Sequence, residues 1–154
     1  MKDIKRFIDH LECPIVDGII FSDNRIQILE IESTSERPYE YFITPSLSTT
    51  IENLETKGEL DISYCASMGG CMDPVIGINV ICGEASWGSD GFIAVFEMMT
   101  QDLLWMAFFT ESNPFHKVTV ADGYIVATST LNYIWKFDIK NPTNVSVNCL
   151  DMPY

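Results

Sequence analysis

The chain has 154 residues, of which 22 are acidic and 9 basic, giving a formal net charge of -13. That length suits one domain with a single sizeable core and is short for two, and 47% hydrophobic against 20% charged residues excludes wholesale disorder. So acidic a surface repels nucleic acid and anionic lipid, which leaves a basic protein as the favoured class of partner; the plain alternative is that acidity only keeps the chain in solution.

Ile4, Phe7, Ile8 and Leu11 fall at helical spacing and Cys13-Pro14 ends the pattern, which predicts a short amphipathic helix over residues 2–12. GIIF (18–21), a Ser22-Asp23-Asn24 turn and RIQILEIE (25–32) read as a hairpin, with YEYFIT (39–44) as a third strand bounded by Pro38 and Pro45. Glu30 and Glu32 share a strand face with Ile26 and Ile28, so that face leaves the core or meets a basic group along its length. In SLSTTIENLETKGEL (46–60), Ser48 or Thr49 as a cap, Glu52 in the first turn and Gly58 as a stop predict a second short helix. The stretch DISYCASMGGCMDPV (61–75), rich in small residues, reads as mostly loop.

From Val75 onward, VIGINVICGEASW, GFIAVFEMM, LLWMAFF, FHKVTVA, GYIVATST and NYIWKFDI alternate with turn signals, as in an antiparallel meander. Asp122-Gly123 suits a two-residue type I' turn, because Gly accepts positive φ. In LLWMAFF, Leu103, Trp105, Ala107 and Phe109 point one way and Leu104, Met106 and Phe108 the other; Phe92, Ala94 and Phe96 alternate likewise with Ile93 and Val95. Both strands must therefore be central and covered on both sides, by another sheet, the N-terminal helix or a partner. Tyr133, Trp135, Phe137 and Ile139 share a face opposite Lys136 and Asp138, so that strand lies nearer an edge or solvent. The expected fold is mainly β: an antiparallel meander forming a twisted sheet or β-sandwich, with a short N-terminal helix and room for one further short helix. The ten-residue turn spacing also fits one propeller blade, but a propeller needs about four or more blades and no internal repeat supplies them.

No apolar run reaches the roughly 20 residues of a membrane-crossing helix. The N-terminus has no continuous apolar segment or small-residue cleavage site of a secretory signal, so the expected compartment is the cytoplasm. Five cysteines spread along the chain (Cys13, Cys65, Cys71, Cys82, Cys149) make a poor disulfide framework and fit a reducing compartment as buried thiols.

Little in the sequence favours catalysis. His10 and His116 are the only histidines. His10 sits near the end of the predicted helix, where a cation suits the dipole, and His116 reads as a half-buried polar residue at a strand start. CASMGGCM (65–72) could hold a soft metal such as Cu(I), and Cys71 with His116 could form a nucleophile pair, but an ordinary buried loop accounts for the residues. There is no phosphate loop, dinucleotide fingerprint or nucleophile elbow. Carboxylates are too abundant for any pair to mark a hydrolase. No cofactor and no metal are expected.

The segments E-x-S-W-G-S-D-G-F (84–92), L-W-M-A-F-F (104–109), S-N-P-F (112–115) and I-W-K-F (134–137) resemble those of small cytoplasmic immunity proteins from bacterial toxin systems, including contact-dependent growth inhibition. The resemblance implies a non-enzymatic protein that binds a cognate toxin, often a cationic nuclease, and blocks its active site or substrate surface. A nuclease is basic because it holds phosphates, so an acidic inhibitor is steered to it. Trp87, flanked by Glu84 and Asp90, is the candidate aromatic anchor, with a core Trp at a strand end as the alternative. Glu111 and Asn113, in the turn after LLWMAFF, come next, and Glu36 and Glu40 around Pro38 form a second acidic rim. Two other readings stand beside this one: an interaction module whose partner covers the doubly apolar strands, and a small hydrolase or metal protein using Cys71, His116 or carboxylates.

Overall fold

Twelve antiparallel strands and two short helices make up the computed structural model, which describes residues 3–150. In chain order they are α1 (Ile4–Asp9), β1 (Glu12–Pro14), β2 (Gly18–Phe21), β3 (Arg25–Ser33), β4 (Tyr41–Thr50), α2 (Ile51–Thr56), β5 (Ile62–Asp73), β6 (Ile78–Ala85), β7 (Gly91–Glu97), β8 (Leu103–Phe109), β9 (Phe115–Ala121), β10 (Tyr124–Ser129), β11 (Tyr133–Asp138) and β12 (Val145–Cys149). Eight strands form one sheet in the order β1-β5-β6-β7-β8-β2-β3-β4, and four form a second in the order β12-β11-β10-β9. The fold is mainly β and antiparallel, as the periodicity predicts.

The doubly apolar strands explain the layering. β7 and β8 lie side by side within the large sheet, not at its edges. Ile93, Val95, Trp105, Ala107 and Phe109 meet Phe115, Val118, Ile125, Trp135 and Phe137 of the small sheet in one core cluster. On the opposite face, Phe92, Ala94, Met106 and Phe108 pack with Ile4, Phe7 and Ile8 of α1 and with Ile51 of α2. The chain thus covers both faces itself, in three layers. β11 sits between β10 and β12 with Tyr133, Trp135 and Phe137 buried and Lys136 and Asp138 on its outer side, so it borders solvent through a face rather than an edge.

Several sequence expectations shift by a residue or more. α1 is shorter than residues 2–12: Asp3 caps it by accepting from Lys5 N, Leu11 turns out of the helix at φ 53°, and Cys13 and Pro14 already belong to β1; Lys2 lies outside the described residues. Pro45 does not end β4, which runs on to Thr50; as an edge strand it can lose one ladder donor. Because Thr49 and Thr50 still pair with Ile26 and Arg25, the cap of α2 falls on Thr50, whose Oγ1 accepts from Asn53 N at 3.0 Å. Gly58 follows the helix at φ 71°, the left-handed stop expected of it. An irregularity where Val95 and Phe96 meet Trp105 and Leu103 turns Leu103 to the helix side with Met106 and leaves Leu104 at the surface.

The largest correction concerns residues 61–75. Most of them are not loop but the 12-residue β5 (Ile62–Asp73), paired with both β1 and β6, and only Asp61, Pro74 and Val75 stay outside it. The small residues serve close packing: a Cβ on Gly69 would come within 2.8 Å of the His116 carbonyl in β9, and one on Gly83 would collide with the Ala66 carbonyl. The Asp122-Gly123 turn is as predicted, with φ of 53° and 82° and Tyr124 paired to Ala121.

Phe109 is fully buried and its ring lies tilted against Trp135, 4.8 Å between centroids. Phe109→Ala should lower unfolding free energy by about 3–5 kcal/mol in urea titration with little change in slope, because the sandwich cannot collapse around the cavity.

Candidate partner-binding cleft

At one end of the sandwich, β8 ends, β9 begins, and the β3–β4 hairpin and the β6–β7 turn close in from either side. They surround a cleft of about 540 Å³. Tyr39 and Tyr41 contribute aromatic surface above the buried Trp135; Asp17, Thr110, Glu111 and Asn113 line it from the β1–β2 and β8–β9 connections, and residues of the β3–β4 hairpin, Ser89 and Leu131 are among the rest of its lining. No Lys, Arg or His is among the lining residues.

Hydrogen bonds make these loops rigid. The Asp17 carboxylate accepts from Thr110 N at 2.7 Å and from Thr110 Oγ1 at 3.1 and 3.2 Å, tying the start of β2 to the end of β8. Asn113 takes a left-handed conformation (φ 65°) and donates its N–H to the Ser89 carbonyl at 2.7 Å, while Ser89 Oγ donates to the Thr110 carbonyl at 3.0 Å. In the hairpin tip, Thr34 N–H donates to the Glu40 carbonyl and Thr34 Oγ1 accepts from Glu40 N, each at 3.0 Å. The Tyr133 hydroxyl accepts from Tyr39 N at 2.8 Å and latches that tip onto the small sheet.

The rings form a continuous cluster. Tyr41 lies 5.3 Å from Tyr133 and 5.7 Å from Trp135, and Tyr39 lies 6.1 Å from Tyr133. Burial raises the titration of the Tyr41 hydroxyl above its ordinary value, and Tyr133, Tyr39 and Glu111 add to the rise. Trp135 is fully buried, and its indole N–H is the one buried side-chain polar atom without a hydrogen-bond partner among the described residues. The Asp17 carboxylate is engaged by Thr110, whereas no ion pair within the described residues involves Glu111.

Of the residues singled out from sequence, Glu111 and Asn113 line the cleft. Glu36 and Glu40 are exposed on the hairpin tip whose Thr34, Ser35 and Tyr39 line it. Trp87 is 73% exposed, so it is not a core Trp, and its turn contributes Ser89 to the lining. Glu84 is half-buried in β6 opposite Ala66. Asp90 requires a correction: it is fully buried, and its carboxylate accepts from Ala85 N at 2.9 Å and Trp87 N at 3.3 Å, shaping the turn instead of meeting a partner. Sequence reading missed Asp17, Tyr39, Tyr41 and Trp135. A usable signal was the Tyr39-x-Tyr41 alternation directly after the Glu36–Pro38 turn, which puts both rings on one strand face.

The Cys71 thiol is pushed up, first by burial and then by Asp73, opposite to the shift of an activated nucleophile. Burial, with Cys71 beside it, pushes Cys82 up to about 12. His116 is exposed on β9, and the described residues hold no cluster of three or more His, Cys, Asp or Glu with metal-site geometry. Glu30 and Glu32 are exposed near the end of β3 that leads into the hairpin, the water-facing alternative.

No protein-family model matches this chain, and comparison with curated proteins gives no match either.

Asp90→Ala strands two inward-facing amides and should cost about 1–3 kcal/mol of stability. Glu111→Ala should leave the unfolding midpoint in place. Parallel urea titrations of the two variants check the contrast, and an equal loss for both would contradict the assigned roles.

Proposed function

We propose that this protein is a non-catalytic inhibitor of the immunity type, which receives a basic segment of a toxin domain, in the first instance a nuclease, in the acidic aromatic cleft. The observation that carries the reading is the placement of the Glu111 carboxylate, which has no ion-pair partner among the described residues, beside Tyr39 and Tyr41 in a cleft whose described lining has no basic residue. A Lys or Arg side chain entering there gains a carboxylate and an aromatic face together, each worth more as water leaves. The net charge of -13 draws a cationic protein toward the surface, and the cleft then selects the segment that stays. Exposed Trp87, Glu36 and Glu40 around the same end extend the contact.

The reading in which a partner covers the doubly apolar strands loses its motive, since α1, α2 and the small sheet already cover both faces. The hydrolase reading built on Cys71 has the thiol shifted in the unfavourable direction.

The test begins with capture from the source cells by the purified chain, eluted with rising salt, followed by titration of the recovered protein. One basic chain should be recovered at one-to-one stoichiometry, and its activity should fall as the complex forms. Glu111→Lys should raise Kd about tenfold or more, whereas Glu52→Lys on α2, the same change in net charge away from the cleft, should have a much smaller effect. Equal weakening by both would show that net charge alone attracts the partner. A captured chain whose activity is unaffected in the complex would sink the inhibitor reading.

A further inference from the structure

We infer that Cys13 and Cys65 are a disulfide-forming pair, oxidised by a two-electron oxidant of the peroxide class, and that the bond locks the three-residue edge strand β1 onto β5. Cys13 pairs in register with Ser63, which makes Cys65 its diagonal neighbour across the two strands. Their sulfurs are 2.9 Å apart inside the cluster that holds Ile4, Phe7 and Ile8 of α1. A disulfide spans about 2.05 Å, so the sulfurs must close by roughly 0.9 Å. Backbone bonds on either side keep the strands in register: Cys65 N–H donates to the Leu11 carbonyl at 2.7 Å and Ile15 N–H to the Asp61 carbonyl at 2.9 Å. Cys71 and Cys82 are also diagonal neighbours, across β5 and β6, but no sulfur–sulfur hydrogen bond joins them, which singles out the first pair.

The chemistry balances with peroxide alone. Cys65, 7% exposed where Cys13 is fully buried, gives up its proton and attacks one peroxide oxygen; the O–O bond breaks, leaving a sulfenic acid and one water. The Cys13 sulfur then attacks the Cys65 sulfur, forming the S–S bond, and the departing hydroxide takes the Cys13 proton as a second water. Two electrons pass from the sulfurs to the peroxide. The hydrogen bond to Cys65 and burial both hold Cys13 in its thiol form, so the reaction is slow and waits on opening of the sheet edge. The bond closes a loop with a sequence separation of 52 residues, which contains α2, β2, β3, β4 and therefore the hairpin that lines the cleft. Its main effect is to restrict the unfolded chain.

The folded chain is treated with hydrogen peroxide, quenched, denatured and alkylated with N-ethylmaleimide, then weighed intact and mapped by peptide mass. Three of the five thiols should take up the label, a peptide should link Cys13 to Cys65, and dithiothreitol should restore all five. The oxidised protein should melt higher by on the order of 10 °C. The cross-link should persist in the Cys71→Ala, Cys82→Ala double variant and vanish, with the shift in melting, in Cys65→Ala. Labelling of all five thiols after peroxide, a link between any other pair, or over-oxidised Cys65 without a link would overturn the inference. The wild-type map decides this even where Cys65→Ala folds poorly.

Discussion

The contact between Trp135 and Phe109, 4.8 Å apart between the sheets, is the constraint on which the architecture turns. Trp135 is also in contact with Phe115 and Tyr41, so one indole touches β8, β9 and β4. Without the small sheet, one apolar face of β7 and β8 would lie in water; without α1 and α2, so would the other. Burying each such aromatic or aliphatic side chain is worth about 1.5–3 kcal/mol. The same indole that closes this core also lines the cleft, so the hydrogen-bonded loops around the cleft stand on a floor that the core fixes.

The second constraint is how closely backbones approach at the glycines of β5 and β6. Gly69 lets β9 pass over β5, and Gly83 lets β6 sit against the Ala66 carbonyl. That crossing fixes where β9 starts, and with it the Ser112-Asn113-Pro114 turn that brings Glu111 and Asn113 to the cleft. Backbone geometry far from the carboxylates thus decides where they stand.

Period-two alternation made the meander, the doubly covered strands and the Asp122-Gly123 turn legible, because each is a local consequence of side-chain direction or positive φ. What was not legible is non-local. Residues 61–75 looked like loop because small residues lack strand propensity; the reason for a glycine at 69, the approach of the His116 carbonyl in β9, is distant in sequence. Pro45 looked like a strand end because nothing local says that β4 is an edge. Glu111 and Asn113 were found by their turn, but Tyr39 meets Tyr133, and Tyr41 meets Trp135, only through contacts spanning most of the chain.

Acidity by itself separates no functional carboxylate from a structural one. Asp90 and Asp17 are both spent on the protein's own donors, the first on Ala85 and Trp87 amides and the second on Thr110. Asp23 and Asp102 pair with Arg25 and Lys5 at the surface, where such pairs contribute little. Glu111 shares the concavity with Asp17 but differs from all four in that no hydrogen-bond donor or ion-pair partner among the described residues engages its carboxylate, and it raises the titration of the neighbouring Tyr41 hydroxyl. A carboxylate whose neighbours are acceptors and ring faces is stabilised by an arriving cation more than one already held by amides. That asymmetry between Glu111 in the β8–β9 connection and Asp90 in the β6–β7 turn, two acidic residues at the same end of the sandwich, is what gives an otherwise diffuse acidic surface a direction.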